Sequence, residues 1–253
     1  MIYSSQLLET PRLIELLNQY PIGLEVISFS IGSVLDDLQA SIDYYQKELG
    51  PFKDKIPMIF HGPFLDLAPG SCDAKVIELT KERFENAYEA GKAFHVNRFV
   101  FHTGYMPRTY PVKYWLENVI AFWKDFTKDK LEDNYFYIEN VLDEDWHIVK
   151  AIVDAINHPH FLVCLDIGHI HAYTETKVND WIKGLGNRIG HVHLHNNEGT
   201  QDTHSSLLKG TLQIESILKA LKEAAPKASW TLEIGNEKEL ISSLDWLQDQ
   251  GFV

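Results

Sequence analysis

Six short stretches of this 253-residue chain place an imidazole or a carboxylate at or beside the end of an apolar run. They are Phe60-His61-Gly62-Pro63, Phe101-His102-Thr103-Gly104, Tyr137-Ile138-Glu139-Asn140, Leu165-Asp166-Ile167-Gly168-His169, His191-Val192-His193-Leu194-His195-Asn196 and Thr231-Leu232-Glu233-Ile234. One histidine so placed is ordinary turn chemistry. A carboxylate inside an apolar run is rarer, because burying it without a cationic partner is costly, and Glu139 and Glu233 both sit this way. A shared metal centre accounts for all six together, since imidazole nitrogen and carboxylate oxygen are common ligands of zinc and manganese.

Two spacings sharpen that reading. In Asp166-x-x-His169 the histidine follows the end of its run by one turn, so both groups can face one point. In Asp202-x-His204 alternate residues of an extended segment point the same way. That pair lies in the longest stretch without a helix or strand pattern, Asn196 to Leu212, and long loops in compact domains tend to be functional. His191, His193 and His195 share parity and therefore one face; one small ion does not take all three, so one is the expected ligand and the others support it or face substrate.

The elements that carry these residues repeat one pattern. Extended runs are expected at Ile2-Ser5, Ile22-Phe29, Pro57-His61, Arg98-His102, Tyr135-Asn140, Phe161-Asp166, Ile189-His195 and Ser229-Ile234. Helical stripes lie between them: Leu13, Leu16, Leu17 and Tyr20; Phe84, Ala87, Tyr88 and Gly91 in a helix near 73–94; Ile214, Ile217, Leu218 and Leu221; Leu240, Leu244 and Leu247. Asp143-Glu144-Asp145 marks a helix start before Ile148, Ile152 and Ile156. Eight strands alternating with eight helices predict a parallel sheet with right-handed crossovers. At about 250 residues that is the length of one (β/α)8 TIM barrel, a single domain over 1–253, whose active site lies at the C-terminal strand ends where these residues fall.

Composition narrows the partners. A formal net charge of −13 disfavours a polyanion at long range, although bound divalent cations invert the field locally. No GxGxxG or GxxxxGK[ST] follows any run. Cys72 and Cys164 form no CxxC, no apolar run is long enough to span a membrane, and no basic and apolar leader opens the chain. A cytoplasmic protein without a membrane partner is expected.

The ordered set His61, His102, Glu139-Asn140, Asp166-x-x-His169, His193-Leu194, Asp202-x-His204 and Glu233 resembles the xylose-isomerase-like barrel superfamily over nearly the whole chain. That superfamily includes endonuclease IV (AP endonuclease family 2) and the sugar isomerases and epimerases. Resemblance to endonuclease IV implies up to three zinc ions: one at His61, His102 and Glu139, a second at Glu139, Asp166, His193 and Glu233, and a third at His169, Asp202 and His204. It implies a phosphoester hydrolase acting on a sugar phosphate or an abasic sugar-phosphate end. Resemblance to the epimerases implies one ion (manganese, magnesium or zinc) at the second set, with Glu139 and Glu233 as acid and base and His169 on the sugar. The expected catalytic residues are therefore Glu139, Glu233 and His169, and the expected partner is a small sugar or phosphorylated sugar. The hydrolase is the first expectation because His61, His102, Asp202 and His204 are all present, and the isomerase or epimerase is the alternative. A non-enzymatic barrel stands last, since structural metal sites are usually closed. DNA is disfavoured by the acidity and by the short passage from Ser4, Ser5 and Gln6 into the first helix. Phe64 after the first histidine, and Arg108 and Lys209 as rim cations, complete the candidates.

Overall fold

The computed structural model describes residues 1–252. Eight parallel strands follow chain order and close into a barrel: β1 Ile2–Ser5, β2 Gly23–Val26, β3 Met58–His61, β4 Arg98–His102, β5 Tyr135–Glu139, β6 Phe161–Asp166, β7 Ile189–Leu194 and β8 Ser229–Leu232. Closure is made by β1 on β8, with Ile2 opposite Trp230, Tyr3 opposite Thr231 and Ser4 opposite Leu232. The expected (β/α)8 barrel is the observed one, and closing the sheet removes its edges.

Three strands coincide with the expected runs residue for residue: β1, β4 and β6. Others stop short of their expected ends, β2 at Val26 rather than Phe29, β5 at Glu139 rather than Asn140, β7 at Leu194 rather than His195 and β8 at Leu232 rather than Ile234. At β5 the cause is visible. The Asn140 side chain takes over the ladder, accepting from Asp166 N at 2.9 Å and donating to Asp166 O at 3.0 Å, so the backbone is released to turn. Ser28 and Phe29, the expected end of β2, form a 3-10 turn with Ser30 instead.

Ten α-helices are described rather than eight: α1 Thr10–Gln19, α2 Gly32–Asp36, α3 Leu38–Leu49, α4 Ala74–Ala93, α5 Val112–Thr127, α6 Trp146–Ile156, α7 Ile167–Tyr173, α8 Val178–Leu185, α9 Ile214–Ala224 and α10 Glu237–Asp249. The two extra helices arise because the β2–β3 and β6–β7 connections each hold a pair. Asp166 both ends β6 and caps α7, its Oδ1 accepting from His169 N at 2.6 Å, so a helix begins with no intervening loop. The expected stripes face inward, with Leu13, Leu16 and Leu17 of α1 and Ile214, Ile217, Leu218 and Leu221 of α9 buried against the strands. The acidic cluster before α6 divides: Asp145 caps it through His147 N at 2.8 Å, while Asp143 turns inward and accepts from Thr103 Oγ1 at 2.8 Å. No described helix is long and apolar enough to cross a membrane.

The main core lies between strands and helices and is rich in aromatic side chains, among them Phe84, Phe101, Trp123, Phe126, Phe136 and Phe161. A separate cluster of Tyr3, Ile59, Val100, Tyr137 and Cys164 packs from different strands. It follows the alternation of barrel strands, in which inward side chains stack in layers. At the strand ends above it nearly every inward residue is ionisable, and that change of character defines the site.

Candidate metal centre

Glu139, the last residue of β5, is the hub. Its Oε2 lies 3.1 Å from His61 Nε2 and 3.2 Å from His102 Nε2, both at strand ends. Its Oε1 lies 3.3 Å from His193 Nδ1 and 3.3 Å from His169 Nδ1. One carboxylate thus serves a different histidine pair with each oxygen. His61 donates from Nδ1 to Gly62 O at 2.9 Å, which leaves its Nε2 facing Glu139. Phe64 stacks on His102 with ring centroids 4.4 Å apart and meets His61 edge-on, so the aromatic after the first histidine braces this pair.

A second group forms around His193 of β7. Its Nδ1 lies 3.3 Å from Glu139, 3.7 Å from Asp166 Oδ2 and 3.5 Å from Glu233 Oε1. The third group lies in the Asn196–Leu212 segment, which is more ordered than a bare loop. Asn196 and Ser205 form an antiparallel bridge, and the Asn196 side chain also holds Leu207 O and Leu212 N. This folds Asp202 and His204 back over the barrel mouth. His169 and His204 place their Nε2 atoms 3.3 and 2.9 Å from Asp202 Oδ2, while their Nδ1 atoms bond Asn140 O at 2.9 Å and Glu233 O at 3.0 Å. His204 holds φ at 46°, a left-handed conformation disfavoured for a residue with a side chain. Such strain persists where surroundings over-determine it, often at functional sites.

All nine residues expected as ligands therefore converge at one mouth, in three adjacent groups sharing Glu139. Among the described residues Glu139, Asp166, Asp202 and Glu233 pair only with histidines, never with Lys or Arg. The buried His193 Nδ1 and Asp202 Oδ1 have no hydrogen-bond partner. Orphaned buried donors and acceptors are costly, and divalent cations held within these groups would answer both the orphaned atoms and the excess of carboxylates. The residues present fit a metal.

Electrostatics set the four carboxylates apart. Burial works against ionising Glu139 and Asp166, but the surrounding imidazoles outweigh it and hold both well below the usual carboxylate range. Asp202 is lowered too, burial being overcome by His169 and His204. Glu233 moves the other way, raised first by burial and then by the charges of Glu139 and Asp166. The histidines answer in kind. Against burial, Asp166 and Asp202 lift His169 well above its usual value, and Asp202 and Glu233 lift His204 to about 9. For His102 burial prevails and lowers the ring. Outside the groups, burial raises Asp143 to about 7.

Two residues not singled out as site residues in the sequence belong to the surroundings of this centre. Glu25 of β2 is fully buried and bonds His191 and His193. Its signal was the one used for Glu139 and Glu233, a carboxylate in an apolar run. Gly168 lets His195 approach: a Cβ there would stand 1.9 Å from His195 Cε1. His195 then donates to Asp166 at 3.2 Å and stacks on His204 at 4.1 Å. His191 does not face the mouth groups; it bonds Ser229, Thr231 and Glu25 beneath them. The candidate cations Arg108 and Lys209 pair instead with Glu144 at 3.8 Å and Glu239 at 2.9 Å.

The class these features define is a parallel (β/α)8 barrel enzyme with a histidine–carboxylate rim at its C-terminal mouth. The chain belongs to the xylose isomerase-like TIM barrel family, whose match covers residues 22–250. It is 23% identical over 218 residues to the uncharacterised protein MJ1311 of Methanocaldococcus jannaschii, covering 77% of this chain and 70% of that one. Among solved structures it is similar to a D-tagatose 3-epimerase-like protein, with TM-score 0.79 and 22% identity over 98% of this chain and 96% of that one. It is equally similar to the TTHB071 protein of Thermus thermophilus, solved after soaking with ZnCl2, with TM-score 0.79 and 19% identity over 98% and 96% of the two chains.

Proposed function

We propose that this protein is a divalent-metal-dependent isomerase or epimerase of a small sugar, with Glu139 and Glu233 as the proton-transfer pair. This reverses the order of the two expectations from the sequence. The observation that carries it is geometric: the buried carboxylates of Glu139 and Glu233 lie 3.3 and 3.5 Å from His193 Nδ1, so a small substrate bound at the mouth would meet two carboxyl groups. Two carboxyl groups flanking one substrate carbon can act in turn as base and acid. The likeness to a D-tagatose 3-epimerase-like protein supports the sugar class.

A sugar bound between the two presents a C–H bond next to its carbonyl. One carboxylate takes that proton, and the electron pair delocalises onto the carbonyl oxygen. The other carboxylic acid returns a proton to the opposite face of the carbon, which inverts it, and the two groups exchange roles for the reverse reaction. His169, 3.3 Å from both Glu139 and Asp202, would hold a sugar hydroxyl, and Phe64 braces His102 at the same mouth. Glu139, Asp166, His193 and Glu233 would hold a divalent ion, which when bound would polarise the carbonyl as a Lewis acid. We read the compartment as cytoplasmic, which suits two free cysteines.

A second reading, a multinuclear zinc phosphoester hydrolase, is favoured by one observation: Glu139 divides its oxygens between two histidine pairs, as a carboxylate shared by two ions does. The deciding experiment incubates the Mn2+- or Zn2+-loaded protein with free ketoses in D2O and follows deuterium entry at the carbon next to the carbonyl. The expected result is exchange in the wild type and a loss of ~10²–10⁴-fold in E139Q and E233Q. Cleavage of a phosphodiester without any deuterium exchange would establish the second reading instead.

A further inference from the structure

The carboxylate of Glu25 is 0% exposed at the centre of the barrel and has no partner of opposite fixed charge there. It lies in Gly23-Leu24-Glu25-Val26, among the inward residues Tyr3, Ile59, Val100 and Cys164, where a Leu or Val would pack without any desolvation cost. What it touches is specific. Oε1 accepts from His193 Nε2 at 3.0 Å, and Oε2 accepts from His191 Nε2 at 3.1 Å and from Thr231 Oγ1. His191 in turn accepts at Nδ1 from Ser229 Oγ at 2.7 Å. Every oxygen of the carboxylate is therefore engaged, and β2, β7 and β8 are tied across the barrel.

From this geometry we infer that Glu25 is a positioning residue for the metal centre: it fixes His193 as the Nε2–H tautomer, so that Nδ1 is the donor atom. The inference rests on the metal reading of the rim. An imidazole has two nitrogens on different edges of the ring. With Nε2 bonded to Glu25, Nδ1 is the atom turned to Glu139, Asp166 and Glu233, and it is also the atom left without a hydrogen-bond partner. A carboxylate behind a ligating histidine sets ring orientation and strengthens the nitrogen opposite as a donor. Glu25 is not itself a ligand in this arrangement, because its oxygens are taken up on the Nε2 side of the ring and by Thr231. Thr231 and His191 keep the carboxylate from rotating away.

The test is the affinity of the purified protein for Zn2+, measured by competition with a chromogenic chelator, in wild type and E25Q. E25Q keeps the size and one acceptor but loses the charge, and losing such a partner is expected to weaken binding by about 10–100-fold. The wild type loaded with Zn2+ is also examined by 15N NMR of its histidines, expected to show His193 protonated at Nε2 and coordinated at Nδ1. That measurement decides the matter alone if E25Q fails to fold. E25Q affinity within about threefold of wild type, or His193 coordinated through Nε2, overturns the inference. So does a Co2+ spectrum showing one ligand fewer in E25Q, which would make Glu25 a ligand. A wild type that takes up no Zn2+ overturns the metal reading itself, and the role of Glu25 falls with it.

Discussion

Gly168→Ala replaces a single hydrogen at the first turn of α7, and in an ordinary helix it would stabilise by up to ~1 kcal/mol. Here the added Cβ would stand 1.9 Å from His195 Cε1, 2.4 Å from Nδ1 and 2.5 Å from Nε2. Ordinary contact needs about 3.4 Å, so the ring must retreat by roughly 1.5 Å if it alone moves. It cannot do so freely, since it bonds both Asp166 oxygens at 3.2 Å and lies flat on His204. Overpacking of this kind costs about 1–3 kcal/mol, and losing a charge-assisted bond adds about 1.5–3 kcal/mol. Against the helical gain the net is a loss of about 2–5 kcal/mol. At ~2–4 °C per kcal/mol for a chain this long, the melting temperature should fall by roughly 4–20 °C. Gly32→Ala is the control, because nothing lies within 4 Å of its Cβ and its effect should be within about 1 kcal/mol of zero. Thermal melts of the chelator-treated proteins read both. A Gly168→Ala protein as stable as wild type, with unchanged Zn2+ affinity, would refute the view that His195 is locked against Asp166.

Three further outcomes follow from the same site. In chelator-treated protein the raised His204 adds stability that is complete below about pH 6.5 and is lost as pH rises through about 9. The raised Asp143 works in the same direction, its neutral form being lost through about pH 7, whereas the lowered Glu139, Asp166 and Asp202 contribute above about pH 4 and lose that contribution only in acid. Without metal the melting temperature should therefore fall as pH rises from about 6.5 to about 9, and a rise across that interval would contradict the assignment. Zinc uptake should release protons, more at pH 7 than at pH 10, in an unbuffered titration, because the raised histidines must deprotonate to ligate. Metal analysis of H102A and H204A separates the two functional readings: one ion retained in both variants fits the epimerase, while a drop from three ions in each fits the hydrolase.

The rim was legible in sequence because each group stands at the end of its own strand and local apolar runs reveal those ends. Barrel closure was legible from alternation and length. Glu25 carried the same local signal as Glu139 and Glu233, a carboxylate in an apolar run, but its partners were not legible, since only closure brings β2 within reach of His191 and His193 on β7. The inward turn of Asp143 escaped for a related reason: three consecutive acids before a helix read as a cap, and which of them leaves the cap depends on Thr103 of a different strand end. Strand ends were overestimated at β5 because a side chain, Asn140, carries on the hydrogen bonding of the backbone. The paired helices of the β6–β7 crossover were missed because Asp166, which closes β6, is also the cap of α7, with no turn residue between them.

The tie from Glu25 to Thr231 spans 206 positions, and β1 cannot pair with β8 until nearly the whole chain is in place. Residues 61 to 233 must be assembled before the rim exists, so an unfolded or half-built barrel presents scattered donors rather than a pocket. Long-range contacts of this separation form late and slowly in folding. Metal capture during refolding should accordingly lag behind the appearance of helical signal, which makes the ion a reporter of ring closure. A chain stopped before Ser229 should gain helices yet remain blind to the metal.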